Sequence, residues 1–94
     1  NFTCQIDKTH ETFISKGVNY VEGHHVVPMF QQKNYTLNLD DVDNILSLCP
    51  TCHREIHSGD NKGDILSKIY KIQLAFMSQN SISSEDLQKM YYCA

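Results

Sequence analysis

Cys49-Pro50-Thr51-Cys52-His53-Arg54-Glu55-Ile56-His57-Ser58 places two cysteines and two histidines within ten residues, and Gly59 follows. Pro50 stands where a first helical turn favours proline, and Gly59 where helices commonly stop. Cys52 to Ser58 therefore reads as a short helix entered through a Cys49-x-x-Cys52 knuckle. His53 and His57 are four residues apart, so on that helix they share one face about a turn apart. Cys52 points roughly 100° away from its neighbour His53. One helix can then carry a closed metal site on one side and an open one on the other.

Working outward, a second histidine pair, His24-His25, lies upstream. Tyr20-Val21-Glu22 and Val26-Val27 are β-prone pieces flanking it, and Pro28 ends them. Adjacent residues of an extended segment point to opposite sides. One histidine of the pair can ligate a metal while the other does separate work. Lys16 to Asn19 reads as a turn, Met29 to Asn34 as a helical turn, and Asn38 to Asp43 as an acidic loop. Ile45 to Leu48 alternates enough for a second strand, so the order is strand, loop, strand, helix. The tail is simpler. Ile65, Leu66, Ile69, Ile72 and Phe76 mark one face of a helix from Asp64 to Met77. Ser83 followed by Asp86 resembles a capping box, opening another helix with Leu87, Met90 and Tyr91 inward.

All five histidines and three of the four cysteines lie in the first 57 residues, so the remainder reads as scaffold. Ninety-four residues make one small domain with a limited core, and a structural metal would help it fold. Two disulfides are the alternative use of four cysteines. Cys49 and Cys52, three apart and surrounded by histidine, suit a metal better, which implies a reducing, cytoplasmic setting. A tetrahedral zinc needs four nitrogen or sulfur ligands. Cys49 and Cys52 supply two, and Cys4 and His10 are the upstream candidates for the others. The bland alternative makes Cys4 a small core residue and His10 a solvated one. Cys93 reads as a buried or free thiol.

The net charge is −3 and the pI about 5.9, whereas a free-standing DNA-binding domain is usually basic. Affinity for nucleic acid would then come from a missing domain, a partner or a local basic patch. The chain starts at Asn1, which suggests part of a larger protein, and no apolar run approaches a membrane span. Glu22 is either an acceptor for a histidine or a solvated strand residue. Arg54 is either a phosphate contact or a solvated helix residue. Lys62, Lys68 and Lys71 read as surface charge, and Tyr91-Tyr92 as core packing.

Three blocks now stand in order: Glu22-Gly-His-His-Val-Val-Pro28, Asp43-Asn44-Ile-Leu-Ser-Leu-Cys49 and Pro50-Thr-Cys-His-Arg-Glu-Ile-His57. Together they closely resemble the HNH nuclease motif, and more narrowly the HNH domains of McrA-like bacterial restriction endonucleases. The resemblance runs from about Cys4 to Gly59 and extends loosely over the tail. It implies an α+β fold with a ββα-metal core of the His-Me finger, treble-clef-like kind. A structural zinc would staple residues 1–59, and residues 60–94 would form a C-terminal helical extension of the same single domain. Carried over residue by residue, the resemblance makes His25 the general base. Asn44 becomes the brace of the loop that holds it, and His53 a metal ligand. His24 occupies a position often held by aspartate, and histidine there resembles the colicin nucleases, where it ligates the metal. His57 matches a second helix histidine in the same group. The family pattern usually has two Cys-x-x-Cys pairs; here Cys4 and His10 replace the first.

The chemistry fits the resemblance. Phosphodiester cleavage needs an activated water, stabilisation of charge on phosphorus and help for the leaving oxygen. A neutral imidazole suits the first task and a divalent cation the others. Imidazole ligands accept Zn, Ni, Co or Mn, whereas Mg prefers oxygen. The expectation is a metal-dependent DNA endonuclease of a restriction system, with a structural zinc and a second divalent metal. Cutting both strands from one-metal sites needs two copies, so a homodimer is an accompanying expectation. The competing class is a non-catalytic zinc module that binds protein or nucleic acid. Such a module needs the cysteines but has no use for His24, His25, Asn44 and His57 together. A disulfide-bonded secreted toxin is a distant third.

Overall fold

Strand pairing begins at a two-residue turn. Lys16 and Gly17 have φ of 53° and 83°, the left-handed pair that a tight hairpin between right-twisted strands requires. Ile14–Ser15 (β1) and Val18–Asn19 (β2) pair antiparallel around it, so the turn is narrower than the expected Lys16 to Asn19. The computed structural model describes residues 2–92; Cys93 lies outside them.

Glu22–His25 (β3) pairs antiparallel with Ile45–Leu48 (β4), matching Glu22 to Leu48 and His24 to Leu46. Alternation along β4 buries Leu46 and Leu48. Along β3 it puts Glu22 and His24 on one face and Gly23 and His25 on the other. Val26 and Val27 were expected to extend this strand. Instead the chain bends after His25, and both valines are fully buried. The reason is Asn44. Its backbone carbonyl accepts from the Val26 N–H, and its side chain takes both backbone groups of Val27. A side-chain amide thus replaces the strand ladder at this point. Met29–Asn34 forms a 3-10 helix, as the expected helical turn, and Val42–Asn44 a second.

Pro50–Ser58 (α1) begins with Pro50 in its first turn and the Cys49 sulfur accepting the Cys52 N–H at 3.4 Å. It stops at Gly59, but not by a left-handed residue, since φ there is −84°. Close approach explains the glycine: a Cβ would sit 2.6 Å from Glu55 Cγ. The expected helix from Asp64 to Met77 is two helices, Lys62–Ile72 (α2) and Leu74–Gln79 (α3). Gln73 interrupts them with φ −101° and ψ 23°, and its side-chain amide donates to the Asp43 carbonyl at 3.0 Å. The break leaves Ile72 exposed, although Ile65, Leu66 and Ile69 are buried as expected and Phe76 packs partly on the core. Ser84–Tyr92 (α4) starts with a reciprocal capping box. The Ser83 N–H reaches the Asp86 carboxylate and the Asp86 N–H reaches Ser83 Oγ, both at 3.0 Å. Leu87 and Tyr91, four apart, face inward, and Met90 packs against the core's edge.

The fold is therefore α+β: a two-stranded sheet backed by α1, with α2 and α4 layered behind it. Among the described residues no helix is long and apolar enough to cross a membrane.

Candidate functional site

Two clusters of metal-ligating side chains sit on opposite flanks of α1. In the first, Cys4, His10, Cys49 and Cys52 bring one ligand atom each within 4.8 Å of one another. Two backbone-anchored links deliver the N-terminal segment to this point. The Gln5 N–H donates to the Ser47 carbonyl at 2.9 Å, and the Ser47 N–H donates to Gln5 Oε1 at 2.7 Å. An aspartate turn then folds the chain back, with the Asp7 carboxylate accepting from Thr9 and the Asp7 carbonyl from the His10 N–H. His10 Nδ1 lies 3.3 Å from the Cys52 sulfur and 3.8 Å from the Cys49 sulfur. In a zinc tetrahedron with ordinary bond lengths the nitrogen–sulfur edge is roughly 3.6 Å. The observed pair brackets that value, so the donor set fits a zinc ion.

Electrostatics point the same way. The three sulfurs are buried free thiols. Burial pushes the Cys52 thiol up, and Cys49 and Cys4 push it further. Burial also raises Cys4, but hydrogen bonds from the backbone at Cys49, then Asp7, His10 and Ile6, outweigh it and bring the thiol down to about 7. Thiols that resist ionising together are what a divalent cation reconciles.

The second cluster is His24, His53 and His57. Their ring centroids form a near-equilateral triangle with edges of 5.1, 5.2 and 5.2 Å. Helical spacing supplies His53 and His57 from α1, and the β3 alternation supplies His24 from the facing strand. The same alternation puts Glu22 beside His24, where its carboxylate lies 2.8 Å from His53 Nδ1 and accepts a hydrogen bond from the Tyr20 hydroxyl at 2.9 Å. His53, then Tyr20, hold the Glu22 carboxyl below the usual range. Of the two readings open for Glu22, the structure gives the histidine acceptor. Burial, helped by the neighbouring imidazoles, lowers His24 to about 3. Burial also lowers His57, with His53 and Lys62 adding to the effect. Both rings are thus neutral near pH 7 and offer lone pairs. Three imidazoles leave coordination positions open, which fits a divalent metal that also holds water or substrate oxygen.

His25 lies on the other face of β3 but at the rim of the same recess, a space of about 340 Å³ also lined by His24, His53, His57 and Pro28. Its Nε2 is 2.9 Å from the Asp40 carboxylate. Asn44 is fully buried, and its amide also donates to the Leu39 carbonyl at 2.9 Å, tying the 39–44 loop to the bend after His25. Arg54 lines an adjoining depression with Glu22, His53, His57 and Ser58. Another depression, about 660 Å³, lies elsewhere between β4 and α3 and has no histidine or cysteine in its lining.

All seven expected metal-ligating residues and both expected catalytic residues therefore fall around α1 and the β3–β4 sheet. Two neighbours were not foreseen. Asp40 lies in the stretch that reads only as an acidic loop. Tyr91 does pack in the core, but its hydroxyl also lies 2.7 Å from His24 Nε2. Its spacing of four from Leu87 signals burial, and nothing in the sequence signals that destination.

A Cys/His cluster that could hold a metal, beside a histidine triad on a ββα core, is consistent with the zinc-binding fold of HNH domains. The chain belongs to the HNH endonuclease family, whose model matches residues 4–60. It is 34% identical over 58 residues to the type IV methyl-directed restriction enzyme EcoKMcrA of Escherichia coli strain K12, covering 62% of this chain and 19% of that protein. It is 37% identical over 43 residues to anaredoxin of a Nostoc species, covering 46% of this chain and 50% of that protein. The aligned stretch thus spans from about a fifth to half the length of these relatives. No solved structure matches the chain.

Proposed function

We propose that this domain hydrolyses phosphodiester bonds in DNA, with His24, His53 and His57 holding a divalent metal and His25 acting as general base. The observation that carries this reading is the convergence of the triad and His25 on one recess. When bound, the divalent cation supplies charge stabilisation for the phosphate and the departing oxygen. With Nε2–H hydrogen-bonded to the Asp40 carboxylate, Nδ1 is the nitrogen left free to accept a proton from the attacking water. Asn44 keeps the bend after His25 fixed, so the base stays aimed at the recess. Glu22 accepts from His53 Nδ1 and turns Nε2 toward the triad. Arg54 stands at the edge where a phosphate would enter. Cys4, His10, Cys49 and Cys52 hold a structural zinc, which staples the core comprising residues 1–59.

The imidazole-rich set favours Zn, Ni, Co or Mn over Mg as the second metal. Likeness to a methyl-directed restriction enzyme supports a restriction role, in the cytoplasm, as one domain of a larger protein. One site per chain nicks one strand, so cutting both takes two copies. The other reading, a non-catalytic zinc module, draws on the likeness to anaredoxin, a name that states no nuclease activity. It leaves the histidine triad without a task. The test is relaxation of supercoiled plasmid by zinc-loaded protein given each divalent metal in turn. Nicking that at least one metal restores after chelation supports the endonuclease. Absence of nicking with every metal supports the module.

A further inference from the structure

The HNH family match ends at residue 60, yet the histidine triad has a fourth neighbour from α4. Tyr91 is buried, with its ring centroid 5.9 Å from His24 and 6.2 Å from His57. Its oxygen lies 2.6 Å from the Val26 carbonyl, 3.3 Å from the His25 carbonyl and 2.7 Å from His24 Nε2. A phenol has one proton to give, and carbonyls can only accept. The proton therefore points at the Val26 carbonyl, at the shortest of the three distances. What the phenol turns toward His24 is a lone pair, and only a protonated Nε2 can satisfy it.

We propose that Tyr91 is a positioning residue that holds His24 as its Nε2–H tautomer and so reserves Nδ1 as the metal-binding nitrogen. The proposal rests on the reading that the triad is the metal site, and it extends that site beyond the family core into the C-terminal helix. It parallels Glu22, which fixes His53 by accepting from Nδ1. Each ring is thereby locked by a partner on one nitrogen, the arrangement by which neighbouring groups orient metal-binding histidines. The α4 capping box and Leu87 bring Tyr91 to the bend that follows His25. One hydroxyl thus ties the metal ligand His24 to the backbone carrying His25.

The experiment is long-range ¹H–¹⁵N correlation of the histidine rings in the zinc-loaded protein without a second metal. Titration calorimetry with Co²⁺ or Ni²⁺ then follows on wild type and Tyr91→Phe. In wild type His24 should show the Nε2–H pattern. Tyr91→Phe keeps the ring and removes only the hydroxyl. It should lose that fixed pattern and bind the second metal about 10- to 100-fold more weakly, with zinc content unchanged. A wild-type His24 carrying its proton on Nδ1 overturns the proposal without any variant. So does a Tyr91→Phe protein with unaltered tautomer and affinity. If wild type shows the Nε2–H pattern but binds no second metal, the triad reading fails while the tyrosine's hold on His24 stands.

Discussion

Asn44 makes three hydrogen bonds to backbone groups of Val27 and Leu39 and has no exposed surface. Truncating it leaves three buried polar groups without partners, each costing on the order of 1 kcal/mol or more. Asn44→Ala should therefore lose about 3 kcal/mol of unfolding free energy, read from urea denaturation, and cleave more slowly as its loop loosens. His24 carries a pH signature. Burial holds its folded pKa at about 3, while an unfolded histidine titrates near 6.5. Between those values the unfolded chain binds the extra proton, so stability rises with pH. The contribution is complete above about 6.5 and disappears as pH falls toward about 3. Without a second metal, wild type should lose more stability between pH 7 and 4 than His24→Leu does. Equal losses would show that His24 is not the group involved. The sequence identified His24 and Asn44, since both sit in recognisable motif positions. It could not identify Asp40, whose partner is fifteen residues away across a loop of irregular path.

Local rules act most strongly at the elements. Every signal for α1 is local: the knuckle, Pro50, the i, i+4 histidines and Gly59. Sequence and structure agree there, apart from the reason for Gly59. The Ser83–Asp86 box is equally local, and α4 begins where it directs. Ser83→Ala should cost about 1 kcal/mol in a thermal melt, with zinc content unaffected. By contrast, the end of β3 and the break at Gln73 depend on partners far along the chain. Asn44 replaces the ladder at Val26-Val27, and the Asp43 carbonyl holds Gln73. Propensity within a window of a few residues contains neither fact. The proposed zinc staple would join the loop after Cys4 to the start of α1. Removing it by chelation, or in Cys49→Ser/Cys52→Ser, should abolish the sheet and α1, measured by amide exchange. Retained protection in the zinc-free protein would contradict a structural zinc.

At the scale of the molecule, α1 has two flanks, one meeting the N-terminal segment and the other meeting β3 and α4. The first flank gathers four side chains that could ligate a metal, the second three. Net charge of −3 gives the domain no general attraction for DNA, so the proposed activity would depend on local contacts. In the proposed reaction His25 performs the proton transfer and the triad holds the metal that makes it productive. Single-turnover nicking by His25→Ala, at metal occupancy matched to wild type, tests it most directly. The rate should fall by about 10² to 10⁴ with both metals still bound. A His25→Ala protein that nicks at the wild-type rate would contradict it.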